Sequence, residues 1–190
     1  MRILSLLLML GFALPAAAQI DLAKELRAGG YVLYIRHTST DFSQNDSRMK
    51  SWEDCENQRN LTDKGRDEAR AIAAHLKRLS IPIGEVLASP FCRTMETARL
   101  AFGKATAMNE VRGGPLRNDD PARYASLKKI LSDPVPKGQN RVISSHGNPF
   151  YAVFGPPYLA EGEIAVVRPD APGKFSIVGE IRLDDWAALK

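Results

Sequence analysis

Two polar stretches in this chain each carry a histidine, and each follows an apolar, strand-like run. Tyr31-Val32-Leu33-Tyr34-Ile35 leads into Arg36-His37-Thr38, and Arg141-Val142-Ile143-Ser144-Ser145 leads into His146-Gly147-Asn148. A third stretch, Ser89-Pro90-Phe91-Cys92-Arg93-Thr94, follows Glu85-Val86-Leu87-Ala88 in the same way. Ligands of α/β proteins sit at the carboxyl ends of the strands, so the three stretches are expected to converge on one pocket. A guanidinium grips two phosphate oxygens at once, which makes Arg36 and Arg93 a phosphate clamp. A neutral imidazole attacks phosphorus, and neighbouring cations keep its lone pair free, so His37 is the candidate nucleophile. His146 is placed to stabilise the charge on a phosphoryl group in transfer. Thr38 and Asn148, beside the two histidines, are further candidates for substrate binding.

These residues carry a family resemblance. Arg36-His37-Thr38 resembles the Arg-His-Gly signature of the histidine phosphatase superfamily, the phosphoglycerate mutase-like proteins. Three more stretches match in the same order: Asn60-Leu61-Thr62-Asp63-Lys64-Gly65 with Ala69; Ser89-Pro90 through Arg93-Thr94 with Glu96-Thr97-Ala98; and Ser145-His146-Gly147-Asn148. An Arg-His pair alone is weak, but four ordered matches from Tyr31 to Pro149 are specific. Weaker similarity continues through Glu161-Gly162-Glu163. The resemblance implies a phosphohistidine intermediate on His37, with Arg36, Arg93 and His146 completing the phosphate pocket. It also implies a metal-independent phosphoric monoester hydrolase with no cofactor, of the exported bacterial type. Thr38 departs from the family's usual glycine, and its hydroxyl would narrow the pocket or donate another hydrogen bond.

Expelling an alkoxide requires a proton donor, commonly a carboxyl group with a raised pKa. The stretch where the mutase-like branch has its glutamate reads Gly113-Gly114-Pro115-Leu116-Arg117-Asn118-Asp119-Asp120. Asp119 and Asp120 are the tentative acids, although the same pair suits a solvated helix cap before Pro121. Glu163 and Glu161 are outside candidates. In the acid phosphatase branch the acid follows the second histidine, and Gly147 stands there. A chain without an acid would act on a substrate with a good leaving group, such as phosphohistidine or another phosphoramidate.

The amino terminus reads as a cleavable signal peptide over residues 1–18. Met1-Arg2 precedes an apolar run from Ile3 to Leu14, and Pro15-Ala16-Ala17-Ala18 forms a small-residue cleavage pattern. The run is shorter than the about 20 residues of a bilayer span, so no stable membrane span is expected. The expected location is periplasmic or secreted. Cys55 and Cys92, the two cysteines of the chain, are then a disulfide candidate near the pocket. A thiol phosphatase needs an arginine six residues after its cysteine, and neither cysteine has one. No clustered Cys and His spacing points to a metal.

Residues 19–190 suffice for a single domain. The net charge of +4 favours an anionic phosphorylated small molecule or envelope substrate. There is no Lys/Arg run of the kind that tracks nucleic acid. Helices are expected from Asp21 to Ala28, from a Thr62 cap through Ala69, Ile72, Ala73, Leu76 and Leu79, from Arg93 to Phe102, from Ala122 to Leu131, and from Asn148 to Phe154. His75 lies on the second of these without a motif and is expected to pack. The start of the third is expected to aim backbone N–H groups at phosphate. Ile164 to Arg168 and Phe175 to Arg182 form a hairpin joined by Asp170-Ala171-Pro172-Gly173. The expected architecture is α/β: a three-layer α/β/α sandwich around a mixed, mostly parallel sheet. Thr38 to Gln58 is a candidate lid and specificity loop. Two functional alternatives stay open: a non-catalytic phosphate-ligand-binding protein on this fold, and a mutase-like phosphotransferase.

Overall fold

A computed structural model describes residues 21–113 and 124–190. The expected signal peptide over residues 1–18, together with Asp119 and Asp120, lies outside the described residues. The described chain runs α1 (Leu22–Ala28), β1 (Val32–Arg36), α2 (Asp63–Arg78), β2 (Ile83–Ala88), α3 (Cys92–Phe102), β3 (Thr106–Ala107), α4 (Ala125–Ser132), β4 (Asn140–Ser145), α5 (Gly147–Phe154), β5 (Ile164–Ala171) and β6 (Lys174–Ile181).

Six strands form one sheet in the order β3-β2-β4-β1-β5-β6. The pairs from β3 to β1 are parallel, and β5 and β6 are antiparallel additions. The sheet is therefore mixed and mostly parallel, as expected. Alternation along β1 shows why it has three layers. Leu33 and Ile35 join a core with Ala23 and Leu26 of α1, Ile72 and Leu76 of α2 and Ala98 of α3. Val32 and Tyr34 face the other way, onto Leu127 and Leu131 of α4 and Phe150 of α5. A strand buried on both faces reads as a continuous apolar run, which is how the Tyr31–Ile35 segment announces itself.

The helix ends follow local chemistry. The Thr62 hydroxyl accepts the Gly65 N–H at 3.0 Å and caps α2. A side chain at Gly65 would collide with the Ser39 carbonyl, so the Thr-Asp-Lys-Gly turn sets the start of α2 against the chain leaving β1. Gly103, left-handed at φ 76°, ends α3. The His75 ring stacks on Trp186 with centroids 5.9 Å apart, a packing role as expected.

Two features of the sheet differ from expectation. The hairpin strands extend to Ala171 and Lys174, leaving Pro172-Gly173 as the turn, because the ladder continues through Pro169↔Phe175 and Ala171↔Lys174. The two-residue strand β3 carries no apolar pattern, since both its residues are exposed, and it escapes sequence reading for that reason.

Candidate active site

Three parallel strands end side by side. Arg36 is opposite Ser145, and Ala88 is opposite Ser144. The ladder continues one residue past each strand: His37 N–H donates to the Ser145 carbonyl at 3.0 Å, and Ser89 N–H to the Ser144 carbonyl at 2.9 Å. Arg36-His37, Ser89 and His146 thus emerge at one edge. Because β5 starts there and runs antiparallel, the loop before it reaches the same edge. Gly162 N–H donates to the Arg36 and His37 carbonyls, both at 3.1 Å, which brings Tyr158, Leu159 and Glu161 to the site.

The result is a cavity of about 280 Å³ lined by Arg36, His37, Arg59, Phe91, Arg93, Arg112, Gly113, His146, Gly147, Asn148, Pro149 and Tyr158. A larger groove of about 820 Å³, lined by Trp52, Pro90, Met95 and Met108 among others, holds neither histidine. The smaller cavity holds both histidines and the arginines beside them.

His37 is 1% exposed, and its ring centroid is 5.5 Å from that of His146. Its Nδ1 lies 3.0 Å from the Thr38 carbonyl, an acceptor only, so Nδ1 carries the proton and Nε2 the lone pair. Burial, opposed by that hydrogen bond and reinforced by Arg93, Arg36 and Arg59, pushes the His37 pKa down to about 3. Burial and the same three arginines hold His146 well below its ordinary value. His146 Nε2 shares a 2.9 Å hydrogen bond with Ser89 Oγ, and Phe91 packs edge-on against its ring.

The arginines are braced. Arg36 donates to the Leu159 carbonyl at 2.8 Å and lies 3.5 Å from Glu161 Oε1. Arg93 donates from both Nη atoms to the Asp46 carboxylate, at 2.9 and 3.1 Å, and from Nη1 to the Arg59 carbonyl at 3.2 Å. The first turn of α5 opens into the cavity through Gly147 and Asn148. A side chain at Gly147 would overlap the Tyr158 ring, so glycine there lets Tyr158 close over the site. Asn148 accepts a hydrogen bond from Tyr158 OH.

Arg36, His37, Arg93, His146 and Asn148 are thus brought together, and three other expectations are corrected. Thr38 does not line the cavity: its N–H and hydroxyl both meet Thr97 Oγ1 at 3.2 Å, and the residue is fully buried. What it gives the site is its carbonyl, on His37. Glu163 is turned away, its carboxylate accepting from Ala160 N–H at 2.7 Å and pairing with Arg182 at 3.3 Å. At the start of α3 two N–H groups are already engaged, Cys92 N–H donating to Gln58 Oε1 and Thr94 N–H to the Phe91 carbonyl.

Four site residues escaped the sequence reading. Arg59 directly precedes the Asn60-Leu61-Thr62 stretch, and that adjacency was a usable signal. Asp46, Arg112 and Tyr158 lie in segments without periodicity, and nothing local marks them. Cys55 and Cys92 form a disulfide with Cα atoms 5.7 Å apart, tying the 38–58 loop to the residue before Arg93.

A pocket of about 280 Å³ at three strand ends, with paired histidines and arginines, is suited to a phosphoryl group. Residues 32–113 match the family model of the histidine phosphatase superfamily (branch 1). The chain's fold is similar to that of the protein histidine phosphatase SixA complexed with tungstate: 24% identity, TM-score 0.56, covering 82% of this chain and 98% of that one. It is likewise similar to a phosphohistidine phosphatase SixA from Agrobacterium tumefaciens (17%, TM-score 0.54, 80% and 98%). A mutant phosphoserine phosphatase from Entamoeba histolytica in complex with phosphoserine also shares the fold (14%, TM-score 0.55, 80% and 97%). No curated protein matches the chain.

Proposed function

We propose that this protein is an exported, metal-independent phosphatase that hydrolyses a phosphomonoester or phosphoramidate through a phosphohistidine on His37. The observation that carries the reading is the state of His37: buried, neutral, with Nδ1 committed to the Thr38 carbonyl and Nε2 left as the nucleophile, among arginines. Nε2 attacks phosphorus as the bond to the leaving group breaks, and the leaving group departs with the bonding pair. Arg36, Arg93 and His146 hold the peripheral oxygens. With Ser89 donating to its Nε2, His146 presents Nδ1–H to one of them. Water then attacks phosphorus, the P–N bond breaks, and orthophosphate leaves with neutral His37 restored.

The guanidiniums supply the electrostatic stabilisation that a metal ion supplies elsewhere. A phosphoramidate suits the site because its leaving nitrogen can arrive protonated. Glu161 lies 3.7 Å from His37 Nδ1, on the side away from the attacking nitrogen, and serves the nucleophile instead of the leaving group. The similar proteins named as protein histidine and phosphoserine phosphatases support this chemistry class. Export rests on the Met1–Ala18 segment, with the Cys55–Cys92 pair in support.

Single-turnover phosphate release by residues 19–190, from an aryl and an alkyl phosphate with acid-quenched trapping, tests the reading. Label on His37, absent in a folded His37→Asn protein, is expected. Release from the aryl ester alone marks a labile natural substrate such as a phosphoramidate. Absence of both label and release would make this a phosphate-binding protein.

A further inference from the structure

Four guanidiniums of the pocket share one property: the Nε atoms of Arg36, Arg59, Arg93 and Arg112 are all buried without a hydrogen-bond partner among the described residues. Buried donors of this kind call for an explanation, and a missing ligand is one. The same four arginines each lie over an aromatic ring: Arg36 over Tyr158 at 5.2 Å, Arg59 over Phe42 at 4.8 Å, Arg93 over Phe91 at 4.4 Å and Arg112 over Trp52 at 5.1 Å. Stacking holds a guanidinium by its face and leaves the N–H edge for an anion.

The four differ in their counter-charges. Arg36 has Glu161 and Arg93 has Asp46, whereas Arg59 and Arg112 have no carboxylate within ion-pair distance among the described residues. A phosphoryl group in transfer has three peripheral oxygens, and Arg36, Arg93 and His146 are placed to take them. Arg59 and Arg112 line the same cavity as the two histidines. Two guanidiniums without a carboxylate partner among the described residues therefore remain in a cavity of about 280 Å³.

We propose, building on the phosphatase reading, that the substrate carries a second phosphate close to the transferred one, as in a diphosphate or a vicinal bisphosphate, and that Arg59 and Arg112 hold it. Arginine forks match phosphate oxygens, and the small cavity fits a compact, highly charged head.

Calorimetric titration of residues 19–190 with orthophosphate, methylenediphosphonate and phosphonoacetate at fixed ionic strength tests this. Methylenediphosphonate is expected to bind at least about tenfold tighter than orthophosphate, one good charge-assisted contact being enough for that factor. Arg59→Gln and Arg112→Gln are each expected to cut that ratio by about fivefold or more. Arg112→Lys, which keeps the charge and loses the fork, gives an intermediate ratio and serves if the glutamine variant fails to fold. Equal affinity for orthophosphate and methylenediphosphonate, or a ratio unchanged in the folded variants, overturns the proposal. Tightest binding of phosphonoacetate overturns it in favour of a carboxylate as the second group. Because binding is read without turnover, the two readings fail separately. Selectivity without label on His37 removes the phosphatase, and label without selectivity removes the second phosphate.

Discussion

The carboxylate of Asp46 faces Arg93 in a two-point fork, Oδ1 to Nη1 at 2.9 Å and Oδ2 to Nη2 at 3.1 Å, the geometry in which a guanidinium also receives phosphate. Asp46 belongs to the 38–58 loop, and Arg93 is 5% exposed at the start of α3, so this pair joins the candidate lid to the clamp. An incoming phosphate and Asp46 compete for the same donors. The expectation is that the loop acts as an internal anion that phosphate displaces.

Replacing Asp46 with asparagine tests that competition. The amide retains an oxygen for the Arg59 N–H, which Asp46 Oδ1 now accepts at 2.9 Å, but surrenders the charged fork. Orthophosphate should inhibit Asp46→Asn about five- to tenfold more tightly than wild type, the worth of one charge-assisted contact. Weaker inhibition in a folded variant would show instead that Asp46 holds Arg93 in place for phosphate.

Glu161 should act on rate more than on binding. Its carboxylate accepts from Thr40 N–H at 3.2 Å and Thr40 Oγ1 at 2.7 Å, which fixes it 3.7 Å from His37 Nδ1. Phosphorylation of Nε2 places positive charge on the ring, and an adjacent carboxylate stabilises that charge. In Glu161→Gln the single-turnover rate of His37 phosphorylation should fall about tenfold or more, with KM changed less than about threefold. An unchanged rate would reduce Glu161 to a brace for Thr40.

The neutral histidines set a pH dependence of stability. The His37 pKa falls from an ordinary value near 6.5 to about 3 on folding, so below pH 6.5 the unfolded chain binds the proton and the folded one does not. Stability is then lost as pH falls through the window from about 6.5 to about 3, at up to about 1.4 kcal/mol per pH unit for this histidine. His146 shifts in the same direction. Urea midpoints should drop steadily between pH 6.5 and 4, and a His37→Asn protein should show a shallower decline. Midpoints flat over that range would contradict neutral burial of the pair.

Much of the frame was legible because strands buried on both faces write apolar runs, and Val32–Ile35 and Val142–Ile143 end where polar motifs begin. Parallel neighbours then bring Arg36-His37, Ser89 and His146 together without further information. Thr38 was misread because a motif position does not reveal side-chain direction. The residue lies two past the last residue of β1, and its hydroxyl turns into the Thr97 contact. Glu161 and Glu163 could not be separated by sequence, being two apart near the start of β5. Both precede β5, and the turn through Gly162, at φ 80°, sends one to His37 and the other to Arg182. Asp46 and Arg112 reach the site through loops, where no periodicity marks a side chain's destination.

The Cys55–Cys92 bond should couple stability to the shape of the pocket. It closes a loop with a sequence separation of 37, for which chain entropy gives roughly 3 to 4 kcal/mol. The same region is knitted by polar contacts: Gln58 Oε1 accepts from Cys92 N–H at 2.9 Å, Gln58 Nε2 donates to the Trp52 carbonyl at 2.9 Å, and Arg93 reaches the Arg59 carbonyl. A Cys55→Ser, Cys92→Ser double variant should lose about that free energy in urea titrations. Its KM for an aryl phosphate should rise several-fold, because Arg59 and Arg93 are held by the tethered segment. Lost stability with KM unmoved would confine the disulfide to the unfolded-state effect, leaving the polar contacts alone to hold the two arginines.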